Sequence, residues 1–368
     1  MLKLRDLLLG MIQAKASDLF LRAGRPVSVR VHGEVRWVGG GRERTAVDAA
    51  YVAEALRTVL NEREWQRFER TGEADGAYQE EGVGRFRVNA YRQRGEAALA
   101  FRHIPLRIPG LDELNLPAEP LRKLCGLKRG LVLVTGAAGS GKSTCLAAML
   151  DFINQGSARH IVTVEDPVEF IHEDKLCAID QREVGLDTET FGAALRHVLR
   201  QSPDVILIGE MRDQVTMEAA LNAAETGHLV LSTLHTATAV QTLERIMAYF
   251  PPHQHALVRA QLAMVLEGII SLRLIPRRDG QGRVPAVELL VATARTRELL
   301  QEGKTRELAD AMRDGDFYAM RTFDQSLLML VAEGQITEDA ALAAADNPDE
   351  FKLRRRGFRR GGSFQTQG

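Results

Sequence analysis

The sequence predicts a mixed α/β protein of two domains, a small α+β domain followed by a larger α/β domain built on a parallel sheet. Three observations carry this. Residues 1–104 alternate between helical and strand-like patterns. Further on, short and nearly continuous apolar runs are separated by helix-period segments. Between the two lies "PLRIPGLDELNLPAEP", residues 105–120, with four prolines and little periodicity. Fully apolar strands alternating with helices mark a parallel sheet covered on both faces, whereas short mixed elements mark an antiparallel α+β layer. An aperiodic, proline-rich stretch is where a domain boundary falls.

Each element follows in order. The opening "MLKLRDLLLGMIQAKASD" is broken by Arg5, Asp6, Gln13 and Lys15, so it reads as an amphipathic helix and not as a signal peptide. "DLFLR", "VSVRVHGE" and "VRWV" are strand-like, with "RAGRP" and "GGGRER" as turns. "VDAAYVAEALRTVL" and "EREWQRFERTG" are helical, and "GRFRVNAYRQ" and "EAALAFRHI" are strands separated by Arg94-Gly95. In the second domain, 121–292, the core strands are "GLVLVTG", "HIVTVED", "DVILIGE" and "HLVLSTLH". Beyond Pro252 come a helix, the strands "GIISLRLIP" and "VPAVELLV", and a helical region over 293–353. The tail, 354–368, reads as disordered. Its five arginines between Arg354 and Arg360 could meet lipid headgroups or nucleic acid, although a solvated terminus is the plainer reading.

Composition excludes several classes. With 368 residues, 45% of them hydrophobic, the chain can build two cores. A net charge of −1, from 48 basic and 49 acidic residues, gives no global field for nucleic acid or anionic membrane. Cys125, Cys145 and Cys177 are far apart and form no CxxC, which argues against a disulfide framework or structural zinc and for a reducing cytosol. No apolar run reaches the roughly 18 residues of a membrane span. The expectation is a soluble, intracellular protein.

The chemistry begins at Gly136-x-x-x-x-Gly141-Lys142-Ser143, a complete P-loop between an apolar strand and a good helix former. Its residues Gly136, Ala137, Ala138, Gly139, Ser140, Gly141, Lys142, Ser143 and Thr144 form the expected nucleotide cradle. The glycines let backbone N–H groups converge on phosphate at a helix N-terminus. Lys142 places a point charge on the β- and γ-phosphates, and Ser143 offers a hydroxyl to Mg²⁺. Hydrolysis further needs groups that orient water and offset charge, and these sit at the carboxyl ends of strands beside the P-loop. Glu165 and Asp166 close one strand and Glu210 another. The same acids could instead cap helices or pair with Arg182, Arg200 or Arg212, a reading as good as the first for Asp166 and Glu169.

The stretches "GAAGSGKST", "VTVEDPVEFIH", "LRQSPDVILIGEMRD" and "AETGHLVLSTLHTATA", in this order, resemble the Walker A, Asp box, Walker B and His box of the secretion/type IV pilus ATPase superfamily. "KASDLFLRAG", "GRFRVNAYRQRG", "QREVGLDT" and "RTFDQSLLML" extend the resemblance to nearly the whole chain, as far as about Leu353, and direct it to the pilus retraction ATPases, the PilT/PilU group. The resemblance implies a PAS-like amino-terminal α+β domain, a RecA-like P-loop ATPase domain and a carboxy-terminal helical extension. It implies ATP and Mg²⁺, with Glu210 and Ser143 holding the metal shell and Glu165 as general base. His228 and His235 would sense the γ-phosphate or relay its loss, unless they are a structural pair with backbone partners. Arg87 and Arg102, on neighbouring strands, would reach nucleotide at a subunit interface, unless they lie on a solvated sheet face.

As a whole, the resemblance implies a homohexameric motor for pilus retraction and twitching motility. Such a motor is cytoplasmic and sits peripherally on the inner membrane, with a membrane platform protein and a paralogous pilus ATPase as partners and no specific nucleic acid. The sequence departs from the family at Ala137-Ala138, where Pro-Thr is usual, at Ala237, where Asn is usual, and in "VATARTRELLQEGKTREL", which follows the retraction-linked helical motif only loosely. Assembly-type relatives carry a further amino-terminal domain and a cysteine-rich metal-binding insert; the expectation here is of neither, which favours the retraction branch. Two rival readings are a ring-shaped nucleic-acid translocase and a non-hydrolysing regulator of a paralogous motor.

Overall fold

Two main sheets, one of six strands and one of seven, organise the chain. The computed structural model describes residues 3–31, 33–39, 46–104 and 107–355. They fall into two units, Met1–Arg107 and Ile108–Gly368.

The first unit contains β1 (Ala16–Arg22), β2 (Arg25–Pro26), β3 (Ser28–Val31), β4 (Glu34–Trp37), β5 (Ala46–Val47), β6 (Glu73–Glu80), β7 (Gly84–Gln93) and β8 (Glu96–Ile104). Its antiparallel sheet has the order β4-β3-β1-β8-β7-β6, while β2 and β5 pair separately. Strand β7 alternates as its sequence requires: Phe86, Val88 and Ala90 are buried, whereas Arg85 and Arg87 face the other way. Helices Leu4–Gln13, Ala49–Val59 and Glu62–Thr71 cover the apolar face, bringing Leu8, Leu56 and Phe68 against Leu19, Phe86 and Phe101. Each such side chain, fully buried, contributes about 1.5–3 kcal/mol. The helix starts are written locally: Asp48 accepts from the Tyr51 amide at 2.8 Å, and Asn61 with Glu64 forms a capping box. At the β7–β8 turn both Arg94 and Gly95 have positive φ, 52° and 82°, as a tight hairpin demands. Strand β6, "EADGAYQE", was not foreseen; it is polar, contains Gly76 and forms the sheet edge. Of the turn "GGGRER", residues 40–44 lie outside the described residues.

The second unit contains β9 (Gly130–Thr135), β10 (His160–Glu165), β11 (Ala178–Glu183), β12 (Val205–Ile208), β13 (Leu229–Leu234), β14 (Leu266–Pro276) and β15 (Arg283–Val291). They run in the order β11-β10-β12-β13-β9-β14-β15, all parallel except β15, which is antiparallel to β14. Both faces are buried, as the apolar runs predicted. In β9, Leu131 and Leu133 pack with helices Phe191–Val198, Gln214–Glu225, Ala239–Ala248 and His255–Val265. Val132 and Val134 face helices Ala118–Cys125 and Lys142–Gly156. A third apolar cluster joins β14 and β15 to the carboxy-terminal helices through Phe323, Leu327 and Phe351.

Two boundaries differ from expectation. The stretch 105–120 is not wholly a linker: from Ile108 onward it belongs to the second unit, where Leu111 is buried with Leu121 and Leu124. Pro105 and Leu106 lie outside the described residues. Helix Pro348–Arg355 runs into the segment read as a disordered tail, and residues 356–368 lie outside the described residues. Among the described residues no helix is long and apolar enough to cross a membrane.

Candidate functional site

Strand β9 runs into the loop Gly136–Gly141, and helix Lys142–Gly156 begins directly behind it. Gly136 is required here: its φ is 143°, and a Cβ would stand 2.5 Å from both the Leu272 carbonyl oxygen and Ser140 Oγ. The backbone therefore curls against β14, leaving Ala137, Ala138 and Gly139 exposed at the crest. Ser140 Oγ is buried without a hydrogen-bond partner. A helix N-terminus with converging amides and a spare hydroxyl suits a phosphate group.

Lys142, only 8% exposed, donates to the Gly136 and Ala137 carbonyls at 2.8 and 2.9 Å. Burial pushes its ammonium below the usual lysine range, against Glu210 and Glu169, which favour the charge. Its third neighbour is His235 Nδ1 at 3.3 Å. On the other side of that ring, Nε2 lies 3.3 Å from Glu210 Oε2. The contacts fit a neutral ring that accepts from Lys142 at Nδ1 and donates to Glu210 at Nε2. Glu210 also accepts from Arg212 Nε at 2.8 Å, and Arg212 Nη1 is 3.8 Å from Asp166. One polar chain, Lys142–His235–Glu210–Arg212–Asp166, thus spans the carboxyl ends of β9, β13, β12 and β10.

Strand order corrects one expectation. The strands beside the P-loop strand are β13 and β14, not those that carry the acids. His235, which follows β13, bridges the gap to Glu210, and Glu165 stands one strand further out. The two acidic strand ends do meet one another, because Gly209 lets them close: a Cβ there would be 3.2 Å from Glu165 Cα and from the Val164 carbonyl. Glu165 Oε1 accepts from Thr163 Oγ1 at 2.7 Å and from Gln181 Nε2 at 3.3 Å. Burial raises its pKa, countered by those donors and the Glu169 amide. Arg212 pairs with two of the acids, as the alternative reading of Asp166 allowed, while Glu169 remains exposed and acts on Lys142.

His228 is not part of this constellation. It precedes β13, at the opposite end of the sheet, roughly 20 Å away at 3.3 Å per strand residue. Its Nδ1 lies 2.9 Å from the Ala223 carbonyl and 3.3 Å from Thr226 Oγ1, so within this unit it is a structural histidine. Arg87 and Arg102 are direct cross-strand partners on the open face of the first sheet. Arg102 donates to Asp18 at 2.9 Å and keeps 67% exposure, and Arg87 lies 4.0 Å from Asp75. Like charges placed opposite one another on a sheet repel, and these acids offset the repulsion.

Sequence reasoning missed Thr163 and Gln181, which hold Glu165. A hydroxyl two residues before a strand-end acid was the available signal; Gln181 sits on β11, which the pattern did not reveal. For a metal, Ser143 and Glu210 supply hard oxygens of the kind Mg²⁺ takes alongside phosphate and water. Among the described residues no three His, Cys, Asp or Glu side chains converge as a protein-only metal cage.

Residues 102–340 match the family described as type II/IV secretion system protein. The chain belongs to that family. Among secretion family members it is 43% identical to the type IV pilus ATPase PilU of Pseudomonas aeruginosa, over 93% of this chain and 88% of the relative. It is also 43% identical to the type IV pilus retraction ATPase PilT of that organism, over 91% of this chain and 96% of the relative. The crystal structure of the pilus retraction motor PilT with bound ADP has a TM-score of 0.88 and 43% identity, covering 95% of this chain and 99% of that one. The fold of this secretion family member is therefore the expected one, a strand-rich amino-terminal domain followed by a parallel-sheet ATPase domain.

Proposed function

We propose that this chain is an ATP-hydrolysing motor that powers type IV pilus retraction as a homohexameric ring. The observation that carries the reading is the polar chain from Lys142 through His235 to Glu210. It sets a phosphate-binding cation, a hydrogen-bonding ring and a carboxylate at one end of the sheet. Homology to PilT and PilU over most of the chain supports the same reading.

In the proposed reaction the amides of Gly136–Thr144 hold the phosphates and Lys142 turns from the loop carbonyls to the β- and γ-oxygens. Ser143 and Glu210 would hold Mg²⁺, which would supply charge neutralisation at the phosphates when bound. His235 donates toward the γ-phosphate side and, when that phosphate leaves, returns to Lys142 and Glu210. Glu165 orients the attacking water through the carboxylate oxygen that Thr163 and Gln181 leave free, and takes its proton. Its raised proton affinity makes it a stronger base than a surface carboxylate. Arg87 and Arg102 are the candidates to reach the phosphates of a neighbouring subunit in the ring.

The proline-rich stretch 105–120 is the proposed hinge by which turnover changes the angle between the two domains. The ring would sit in the cytoplasm against the inner membrane, on the platform protein of the pilus. Equal identity to PilT and PilU, 43% each, favours operation beside a paralogous ATPase. The deciding experiment is Mg-ATPase turnover of the purified chain and of Glu210→Gln. A loss of at least about a hundredfold is expected; equal rates would sink the motor reading. Turnover stimulated by DNA or RNA at low salt would favour a translocase instead.

A further inference from the structure

Glu288 is the one buried acid of the second sheet that the proposed chemistry does not use. It lies on β15 in the run "VPAVELLV", only 4% exposed. Alternation places it on the same strand face as Ala286 and Leu290. Ala286 packs in the cluster of carboxy-terminal helices, and Leu290 packs in the main cluster beside helix Ala239–Ala248. Glu288 therefore occupies the seam between two apolar clusters, where a leucine would be the cheaper residue because burying a carboxylate costs several kcal/mol (order of magnitude) before it is partnered.

Its hydrogen-bond donor is a helix start. Glu288 Oε1 accepts from the Ala239 amide at 2.7 Å, the first residue of helix Ala239–Ala248. Helix Phe323–Ala332 reaches the same stretch of β15 through the two residues that flank Glu288. The first helix starts four residues after His235, across a taut connection. Thr236 Oγ1 meets Thr242 Oγ1 at 2.7 Å, and Thr242 Oγ1 donates to the Thr238 carbonyl, also at 2.7 Å. The second helix is stitched to β15 on both sides of Glu288. The Val287 amide donates to Ser326 Oγ at 2.9 Å, and Leu289 and Arg321 exchange backbone bonds at 2.9 and 3.1 Å. Arg273 on β14 stacks on Phe323 at 3.8 Å from the ring centroid and binds Asp346 at 2.6 Å, closing the seam from the carboxy-terminal side.

We propose that Glu288 is a positioning residue that couples the His235 loop to the carboxy-terminal helix Phe323–Ala332. A change at His235 on phosphate binding or release moves the start of helix Ala239–Ala248. That movement is passed through Glu288 to β15, and from Val287 and Leu289 on either side of it to the Phe323 helix. The inference rests on the motor reading above only in requiring that nucleotide bind at the P-loop.

Amide hydrogen exchange of the full chain, with and without a magnesium-bound non-hydrolysable ATP analogue, tests it. Coupling free energies of about 1–3 kcal/mol correspond to roughly 5–150-fold, so nucleotide should change exchange at Phe323–Gln325 at least about fivefold in the wild type. In Glu288→Leu the acceptor for the Ala239 amide is gone. The nucleotide-dependent change at Phe323–Gln325 should vanish there, while that at Ala239–Gln241 persists. General destabilisation would raise exchange in both ligand states alike and leave the difference intact. An unchanged difference in the variant overturns the coupling. So does a wild type whose residues 323–325 ignore bound nucleotide, a result that needs no variant to fold. Failure of that analogue to bind the wild type at all would instead remove the motor reading, and the coupling with it.

Discussion

Replacing His235 with Ala separates a catalytic link from a structural one. The ring spans 3.3 Å to Lys142 and 3.3 Å to Glu210, yet its side chain is 48% exposed. Half-exposed polar pairs contribute about 0–1 kcal/mol to stability, so the melting temperature should fall by no more than about 4 °C. Both partners keep other bonds, Lys142 to two carbonyls and Glu210 to Arg212, so no buried charge is stranded. Turnover has no such reserve, because the ring is the one side chain seen to join the P-loop lysine to the strand-end acid. Removing one preorganised donor from a phosphoryl-transfer site costs about 10²–10³ in rate by analogy with oxyanion donors. Phosphate release at saturating Mg-ATP, measured beside thermal denaturation, gives both numbers. A rate within about threefold of wild type, equivalent to ~0.7 kcal/mol, or a collapse in melting temperature with turnover retained, would refute this division of roles.

Three further outcomes follow from the geometry. Gly136→Ala places a Cβ 2.5 Å from the Leu272 carbonyl oxygen, so fluorescent ADP-analogue binding should be lost while circular dichroism stays native. Thr163→Val keeps the buried shape but removes the 2.7 Å bond to Glu165, a charge-assisted bond of about 1.5–3 kcal/mol. Because that bond favours the ionised form, its loss should move the acid limb of the pH–rate profile to higher pH; an unmoved limb would show that Glu165 does not govern it. Burial pushes Glu288 up to about 7 from 4.5, with Asp346 raising it and Arg273 and the Ala239 and Phe323 amides lowering it. The folded state therefore holds the proton more tightly, and the stability this gives is present below about 4.5 and lost as pH rises through about 7. Between pH 5 and 8 the wild-type melting temperature should fall relative to Glu288→Gln, and parallel curves would contradict it.

What the sequence made legible was chemistry fixed by local spacing. The P-loop reads directly, because phosphate demands small residues and a lysine at set positions on one strand–helix turn. The apolar strands β9, β10, β12 and β13 read equally well, since a doubly covered strand has no polar face to blur it. Strands β6 and β11 did not: "EADGAYQE" and "AIDQRE" are polar edge strands, held by partners distant in sequence. With β11 went Gln181, and with it half of the support for Glu165. Strand order is likewise non-local, so nothing in the spacing revealed that β13 separates the acid-bearing strands from the P-loop. The paired histidines looked equivalent as a motif. The six residues of β13 between them send His228 to one end of the sheet and His235 to the other. Glu288 stood in plain view as the one charge in an apolar run, but its meaning depends on two helix starts that only the fold assembles.

The central claim is that acids and His235 gather at one end of the sheet because a magnesium-bound triphosphate docks there. A structure of the hexamer with Mg²⁺ and a non-hydrolysable ATP analogue tests it most directly. The γ-phosphate should lie within hydrogen-bonding distance of Lys142 and His235, with Glu210 reaching the metal shell through water and Glu165 facing the attacking side. A triphosphate bound at the P-loop with its terminal phosphate remote from His235, Glu210 and Glu165 would contradict the account.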